Sequence, residues 1–348
     1  MRVSDFDFDL PEELIAQTPA PRGESRLMVL GRDDRSVRHT IISELPGLLQ
    51  PGDVLVVNNT RVFAARLLGK RVPSGGAVEC LLLAPVNNEA LWDALVHPGQ
   101  KLRSGTLIRF EGPAGAITAE VLERRFFGRR LIRLRSESTA SLEELIDALG
   151  HVPLPPYIKR PDVETDRERY QTVYASVRGS VAAPTAGLHF TRELLDALSA
   201  RGVERVEITL HVGYGTFKPV RTEIVEEHQI DPEHYEISKT AAEAIERARR
   251  EGRRVIAVGT TTTRALEDAA RCNNGRILPM SRAATTFIYP GFDFQVVTGL
   301  LTNFHLPRSS LLMLVCAFAG RERVLDAYRE AIEARYRFYS YGDAMLIV

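Results

Sequence analysis

The chain has 348 residues, 44% of them hydrophobic and 26% charged, which is enough for a large core and two domains. Its 45 basic and 45 acidic residues give a formal net charge of zero, so no overall positive field attracts nucleic acid and any contact with a polyanion must be local. The longest apolar run, 311–319, is too short to span a bilayer, and the first residues lack a signal-peptide pattern. We therefore expect a cytoplasmic protein that contacts no membrane.

The basic residues and the cysteines add two constraints. Five of the 45 basic residues are lysines, which leaves 40 arginines. This bias suits bidentate phosphate binding, and a genomic codon preference would produce it equally. Cys80, Cys272 and Cys316 are far apart in the sequence and form no paired motif, so we expect neither a zinc site nor a disulfide framework.

Residues 61–135 consist of short apolar runs separated by turn residues, a pattern typical of strands with hairpin spacing. The spacing predicts a small barrel or sandwich. The expected strands are 79–84, 91–96, 106–110, 116–123 and 130–135. A helix that begins after Ser141 and ends at Gly150 closes this region.

The rest of the chain alternates strands and helices, which predicts an α/β sheet with buried strands. The expected strands are 53–59 (the first of the sheet), 205–213, 255–259 and 285–289, and the expected helices are 191–202, 239–252, 263–271 and one through 327–336. The predicted fold class is therefore a larger α/β sheet domain, 1–60 and 151–348, with an inserted all-β barrel-like domain, 61–150.

Four loops rich in small residues lie at the predicted ends of strands in the α/β domain. Their sequences are APTAGLHFT (183–191), GYGTFKPV (213–220), GTTTTR (259–264) and TNFHLPRSS (302–310). Each alone is also compatible with a structural turn or a helix cap. Because α/β proteins bind ligands at strand ends, and a strand-to-helix junction offers N–H groups to an anion, we predict that one crevice collects all four loops.

Two basic segments are candidates for contact with nucleic acid. Arg124, Arg125, Arg129 and Arg130 lie with two phenylalanines on a predicted hairpin, which is suitable for phosphates and stacked bases. Tyr157, Lys159 and Arg160 are expected to be exposed at the end of the proline-rich connector 151–160, which is also compatible with a simple hinge.

Long segments closely resemble the S-adenosylmethionine:tRNA ribosyltransferase-isomerase family of queuosine biosynthesis. The resemblance extends from residue 6 to the C-terminus and is most specific in GHVPLPPYIKR (150–160), YQTVYASVRGSVAAPTAGLHFT (170–191), ITLHVGYGTFKPV (208–220) and YRFYSYGDAM (336–345). It implies an α/β domain with an inserted β-barrel-like domain, as the pattern of predicted strands and helices also indicates.

The resemblance implies that S-adenosylmethionine donates its ribosyl group to the aminomethyl group of a 7-deazaguanine at the wobble position of a tRNA with a GUN anticodon. Epoxyqueuosine in tRNA, adenine and methionine are the implied products. No metal or redox cofactor is implied. We expect the protein to be a monomer. The sulfonium acidifies the adjacent ribose carbon, so the protein must supply a base, an acid for adenine and shelter from water.

The resemblance also implies roles for individual residues. His189 and His305 are expected to be the general base and the general acid, in an order left open; His211 is a third candidate, with a structural role equally compatible. Expected donor contacts are Thr185, Gly187, Gly213, Gly215, Lys218, Thr260, Arg264, Asn303 and Asp343. Tyr339 and Tyr341 either close the site or pack within the core. The arginines 124, 125, 129 and 130, with Lys159 and Arg160, are expected to contact tRNA.

Two positions depart from the family pattern, and two other functions stay open from the sequence alone. Thr298 stands where an aspartate is usual and Ser310 where a threonine is usual, so a catalytic carboxylate at 298 is put in doubt. A tRNA methyltransferase would use the same donor and release S-adenosylhomocysteine. A non-catalytic RNA-binding module would need only the arginine surfaces.

Overall fold

A computed structural model of the chain describes residues 1–32, 34, 36–86, 88–217 and 219–348. In chain order, the strands within these residues are β1 (Arg26–Leu30), β2 (Val37–Ile41), β3 (Val54–Asn58), β4 (Thr60–Val62), β5 (Arg66–Val72), β6 (Ala77–Val86), β7 (Asn88–His97), β8 (Leu107–Gly112), β9 (Gly115–Arg124), β10 (Arg129–Ser136), β11 (Val177–Ser180), β12 (Glu204–Leu210), β13 (Glu233–Ile237), β14 (Val255–Val258), β15 (Met280–Ala284), β16 (Gly299–Asn303) and β17 (Ala344–Ile347). The α-helices are α1 (Leu45–Leu48), α2 (Leu142–Leu149), α3 (Asp166–Arg169), α4 (Arg192–Ala200), α5 (Lys239–Arg250), α6 (Thr260–Cys272), α7 (Ser310–Ala319) and α8 (Arg321–Glu333).

A large mixed sheet has the strand order β15-β13-β12-β3-β14-β16-β17-β1-β2. Its centre, β12, β3, β14 and β16, is parallel. Val54 and Val56 pack into one apolar core, whereas Leu55 and Val57, between them on β3, pack into another. Because successive side chains of a strand point to opposite faces, the sheet is covered on both sides, which explains why β3 reads as one continuous apolar run.

The strands β10-β7-β6-β5-β8-β9 close into a barrel of antiparallel neighbours. Alternate residues, such as Val78, Cys80 and Leu82 of β6, fill its interior. Helix α2 adds Leu145 and Ile146 to the same core. The inserted domain is therefore stabilised by its own apolar core, separate from the two cores that flank the sheet.

The predicted fold class is confirmed: a large α/β sheet accompanies a closed all-β barrel. The boundaries 1–60, 61–150 and 151–348 stay a prediction. Strand 53–59 is not the first of the sheet, since β1 precedes it and pairs in parallel with β17. Among the residues that the structure describes, none of the helices has the length and apolar character needed to cross a lipid bilayer.

The strand expected at 285–289 is wrong, and buried Asp268 provides the reason. Its Oδ1 accepts the backbone N–H groups of Thr285 and Thr286 at 3.1 Å each and the Thr286 hydroxyl at 2.7 Å. These donors are therefore not available to a neighbouring strand, and the strand that pairs with β13 is β15, just before them.

We expect Asp268→Ala to lower the free energy of unfolding by about 3 kcal/mol. The substitution leaves the backbone N–H groups of Thr285 and Thr286 without their acceptor and removes the carboxylate that forms an ion pair with Arg282. Urea denaturation followed by circular dichroism measures the change. Asp196→Ala, at an exposed position of α4, is the matched control and should change the stability by less than about 0.5 kcal/mol. Equal effects of the two substitutions would contradict this role of Asp268.

Candidate active site

A cavity of about 590 Å³ lies at the carboxyl ends of the adjacent parallel strands β14 and β16. Its walls are formed mainly by segments 156–157, 182–186, 259–261, 302–309 and 339–340. Parallel strands bring their carboxyl ends to one edge of the sheet, which is why loops distant in sequence meet there. Three of the four loops expected to share a crevice, those around 185, 260 and 305, therefore do so, and the fourth reaches the cavity through 219–220.

Four of the expected site residues line this cavity: Thr185, Thr260, Asn303 and His305. His305 is 8% exposed, and its Nε2 lies 2.8 Å from the hydroxyl of Thr302. Its backbone N–H donates to the Tyr328 hydroxyl at 3.0 Å, which fixes the start of the loop. No hydrogen bond found among the described residues uses Nδ1 of His305. Burial lowers the pKa of His305 to about 3, so the ring is neutral at pH 7.

His189 lies behind Asn303 and is not among the described residues that line the cavity. Its Nδ1 is 2.8 Å from the hydroxyl of Ser25, and its Nε2 is 3.2 Å from Nδ2 of Asn303. The same Nδ2 donates to the carbonyl of Tyr339 at 3.0 Å. Since a carbonyl only accepts, the amide nitrogen must face it, and Nε2 of His189 must be the acceptor of the second amide N–H.

This network fixes the proton of His189 on Nδ1, which donates to Ser25. Burial lowers the pKa of His189 to about 4, in keeping with a neutral ring. Both ring nitrogens are engaged within the protein, so His189 has no ring nitrogen left for a substrate proton in this arrangement. That departs from the expectation that His189 exchanges a proton with the donor directly.

Tyr157 and Tyr339 form an aromatic wall of the cavity, with ring centroids 4.1 Å apart. Tyr339 has a φ of 74°, a left-handed conformation that is uncommon for residues other than glycine. The Tyr157 hydroxyl hydrogen-bonds to the hydroxyl of Ser340. A strained tyrosine held in this way is typical of a binding site, in which tertiary contacts impose the conformation.

A smaller cavity of about 50 Å³ adjoins the first one, and Thr260 and Thr261 line both. Arg264 and Glu233 form a buried ion pair in its wall, and Glu233 also accepts the backbone N–H of Gly213 at 2.8 Å. Nε of Arg264 is buried and has no hydrogen-bond partner among the described residues. Helix α6 begins at this junction after its N-cap Gly259, and the first N–H groups of an α-helix have no partner within the helix.

Two further expected site residues, Gly187 and His211, have structural contacts outside the main cavity. Gly187 is buried, and a Cβ there would collide with the Tyr174 hydroxyl. His211 lies 2.8 Å from the Thr60 hydroxyl, and burial followed by the nearby His234 lowers its pKa. These contacts favour the structural alternative for His211.

Asp343 connects two backbone segments and is not among the described residues that line the cavity. Its carboxylate accepts the backbone N–H of Arg26 at 2.9 Å and that of Arg337 at 2.8 Å, so it ties β1 to the turn before β17. Gly215 lines the smaller cavity, where a Cβ would approach the carboxylate of Asp231 to 2.7 Å. Lys218 lies outside the described residues.

The barrel arginines expected on tRNA differ in their surroundings. Arg124 is exposed, whereas Arg125 forms an ion pair within the barrel at 2.5 Å. Arg129 lies 3.2 Å from Asp231 of the α/β domain. Arg130 is 5% exposed and donates to backbone carbonyls, including that of residue 99 at 2.9 Å. The guanidinium of Arg130 is thus already engaged by backbone carbonyls, and its expected contact with tRNA stays a prediction.

The connector after residue 150 is more tightly held than its sequence predicts. Arg160 is bound in a bidentate fashion by buried Asp166, at 2.6 and 2.8 Å, so its guanidinium is engaged. Lys159 is exposed and pairs with the equally exposed Glu12. Tyr157, expected to be exposed, is instead half-buried and lines the cavity.

Thr298 lies at the opposite end of the sheet from the cavity. Its hydroxyl accepts the backbone N–H of Val255 at 2.8 Å and joins the beginnings of β14 and β16. The departure from an aspartate at this position therefore affects a structural contact. Ser310, the other departure, begins α7 directly after the N-cap Ser309 and lines the smaller cavity.

Sequence reasoning missed two residues that position the site. Ser25 is the partner of His189, and Thr302 is the partner of His305. Thr302 was detectable, since it stands three residues before His305 in the same loop. Ser25 had no such signal, because 164 positions separate it from His189.

The buried histidines make stability depend on pH. His189 has a pKa of about 4 when folded and 6.5 ordinarily, so the unfolded chain binds more protons between these values. Its stabilisation is complete above pH 6.5 and is lost as the pH falls toward 4. We expect His189→Gln to reduce the slope of unfolding free energy against pH by about 1.4 kcal/mol per unit in this window.

Urea denaturation at several pH values measures that slope. His97→Gln, at an exposed position of the barrel, is the matched control and should keep the slope of the unchanged protein. The same slope in His189→Gln would mean that the folded state does not hold His189 neutral.

Comparisons with known proteins place the chain in a family. A family model described as "Queuosine biosynthesis protein" matches residues 3–347. Relatives from Heliobacterium modesticaldum and Carboxydothermus hydrogenoformans, both named S-adenosylmethionine:tRNA ribosyltransferase-isomerase, are 52% and 53% identical over 349 residues, with the whole of each chain covered. A crystal structure of an S-adenosylmethionine tRNA ribosyltransferase from Thermotoga maritima is 38% identical, covers 99% of this chain and 100% of its own, and has a TM-score of 0.55.

These matches cover the chain almost from end to end, and the resemblance read from its motifs is confirmed. The chain belongs to the queuosine biosynthesis family of S-adenosylmethionine:tRNA ribosyltransferase-isomerases.

Proposed function

We propose that this protein transfers and isomerises the ribosyl group of S-adenosylmethionine onto the aminomethyl group of a 7-deazaguanine at the wobble position of tRNA. Epoxyqueuosine-tRNA, adenine and methionine are the products. The observation that carries the proposal is the cavity at the carboxyl edge of the sheet, with the imidazole of His305 in its wall. The names of relatives about half identical over their full length support the same reaction.

The cavity suits a reaction that must exclude water. Its volume of about 590 Å³ lies within the range of about 300–1,000 Å³ in which proteins bind small molecules. Apolar and aromatic groups, among them Tyr157, Phe304 and Leu306, form much of its wall. A reactive fragment formed from the donor is thereby protected from hydrolysis until the tRNA amine reaches it.

We assign the proton transfers to His305. The sulfonium of the donor acidifies the adjacent ribose carbon, and the neutral ring of His305 accepts that proton. The protonated ring then gives the same proton to the departing adenine. Ring opening, attack by the tRNA amine and epoxide closure with loss of methionine complete the route. Thr302, 2.8 Å from Nε2, positions the imidazole.

The smaller cavity is the proposed site for the amino-acid end of the donor. The carboxylate binds at Arg264 and the N-terminus of α6, where Thr260 joins the two cavities. Glu233, already paired with Arg264, faces the ammonium group. A buried pair of opposite charges suits a zwitterion, since each charge of the ligand meets its complement. Thr185, Gly213, Gly215 and Lys218 remain proposed donor contacts.

The proposed tRNA surface combines the barrel and the connector. Arg124 is exposed, and the Lys159–Glu12 pair is exposed on both sides. An exposed ion pair is weak, so a phosphate displaces Glu12 at little cost. To bind a phosphate, Arg125, Arg129 and Arg160 would have to leave ion pairs that are less exposed. We therefore propose them as secondary contacts with tRNA. We further propose that the protein acts in the cytoplasm, as a monomer, on tRNAs with GUN anticodons, and that its chemistry requires no metal.

The test is incubation with S-adenosylmethionine and tRNA carrying the aminomethyl-deazaguanine, followed by mass analysis of nucleosides and small products. We expect stoichiometric adenine and methionine with an oxirane-containing nucleoside. His305→Gln should lower kcat by about 100- to 10,000-fold and leave tRNA affinity unchanged, because it removes only proton transfer. S-adenosylhomocysteine as the product would instead indicate methyl transfer, and full turnover by His305→Gln would overturn the assignment of His305.

The amino-acid subsite predicts discrimination between S-adenosylmethionine and its decarboxylated analogue. The unchanged protein should have a kcat/KM about 100-fold higher for S-adenosylmethionine than for the decarboxylated analogue, because the analogue cannot form the buried charge-assisted contact with Arg264. Arg264→Lys keeps the charge beside Glu233 and loses the planar guanidinium, so it should reduce this preference about tenfold. Arg253→Lys, in an ion pair outside both cavities, is the control. An unaltered preference in Arg264→Lys would place the carboxylate elsewhere.

A further inference from the structure

The amide oxygen of Asn303 lacks a partner in an otherwise satisfied network. The amide nitrogen uses its two N–H groups on the Tyr339 carbonyl and on Nε2 of His189. Oδ1 is buried and has no hydrogen-bond partner among the described residues, and Asn303 is only 2% exposed. A buried acceptor without a donor destabilises the folded protein. Because Asn303 lines the main cavity, a donor group of the ligand can supply the missing partner.

The hydroxyl of Tyr339 is a second unpartnered group at the same wall. It is buried and has no hydrogen-bond partner among the described residues, and Tyr339 is 9% exposed and lines the cavity. Its ring lies against that of Tyr157, with centroids 4.1 Å apart. The wall therefore combines an obligate acceptor, a potential donor and aromatic rings, which together suit a planar base with an N–H donor beside a ring nitrogen.

We propose that Asn303 and Tyr339 recognise the edge of a 6-aminopurine, the adenine of the donor. The Asn303 oxygen accepts a hydrogen bond from the exocyclic amine, and the Tyr339 hydroxyl donates to a neighbouring ring nitrogen, a pairing that matches the donor and acceptor pattern of adenine. The inference rests on the proposed function, in which adenine is the leaving group. It identifies residues that determine which nucleoside the donor carries.

His189 and Ser25 are positioning residues for this contact. Nε2 of His189 can only accept, so it draws the nitrogen of the Asn303 amide to itself and leaves the oxygen for the ligand. Ser25 accepts the Nδ1 proton and keeps His189 in the required tautomer. Without that acceptor the Tyr339 carbonyl alone orients the amide, so the Asn303 oxygen is held less firmly toward the ligand.

A donor with a 6-oxo purine is the sharpest probe of the contact. S-inosylmethionine has the sulfonium and the ribose of S-adenosylmethionine, but it presents an oxygen where adenine presents an amine. That oxygen would face the Asn303 oxygen, leaving two buried acceptors without a donor. Sites that hydrogen-bond an N–H group reject analogues without it strongly, so we expect the unchanged protein to prefer S-adenosylmethionine by about 100-fold or more.

The experiment measures kcat/KM for both donors and direct binding of both donors by calorimetry. Asn303→Leu should lower kcat/KM for S-adenosylmethionine by about 10- to 100-fold and reduce the preference between donors to below about tenfold. Tyr339→Phe removes only the hydroxyl and should reduce the preference less. His189→Leu should act in the same direction as Asn303→Leu, whereas His189→Gln, whose side-chain oxygen can also accept, should retain most of the preference.

Thermal melting checks that each variant is folded. A folded Asn303→Leu with an unchanged preference overturns the inference, and so does a variant that raises KM for tRNA alone, which would assign the contact to the tRNA amine. If Asn303→Leu does not fold, an unchanged preference in both Tyr339→Phe and His189→Leu overturns it. Absence of adenine and methionine from reactions of the unchanged protein would count against the proposed function, while calorimetry with the two donors would still test recognition of the purine edge.

Discussion

The amide of Asn303 is the interaction on which the arrangement of the site depends. It ends β16, and its two N–H groups join the loop that carries His189 to the turn that carries Tyr339. These segments are separated by more than a hundred positions in the chain, and Ser25, the residue before β1, joins them as well. A buried network of this kind is most stable when each member is satisfied, which is why we propose the unpartnered oxygen of Asn303 as a ligand contact.

Burial determines the electrostatics of the same region. Both His189 and His305 are held neutral because the surrounding protein disfavours an isolated charge. In the proposed function the cationic donor enters a cavity without competing imidazolium groups, while the nearby Arg264 is neutralised by Glu233. We propose that the two cavities divide the donor between them, with the nucleoside in the larger cavity and the zwitterion in the smaller one. This division follows from the sheet, since both cavities meet at the beginning of α6.

Much of the fold could be predicted from the sequence because residues close together in the chain determine whether a strand or a helix forms. Continuous apolar runs predict buried parallel strands such as β3, and alternation predicts barrel strands such as β6. The error at 285–289 arose because buried Asp268 takes the backbone donors there, an effect no local pattern reveals. The same limit applies to the site. Residue type identified His305, whereas the engagement of His189 by Ser25 and the burial of Arg130 depend on contacts that only folding creates.

We propose that the cavity at the ends of β14 and β16 holds the donor with its purine against Asn303. A crystal structure of the protein with S-adenosylmethionine, grown without tRNA, would show where the donor binds. We expect the nucleoside in the main cavity, with the exocyclic amine of adenine within hydrogen-bond distance of the Asn303 oxygen and the carboxylate next to Arg264. A donor bound elsewhere, or one in the cavity with its adenine turned away from Asn303, would show that this placement is wrong.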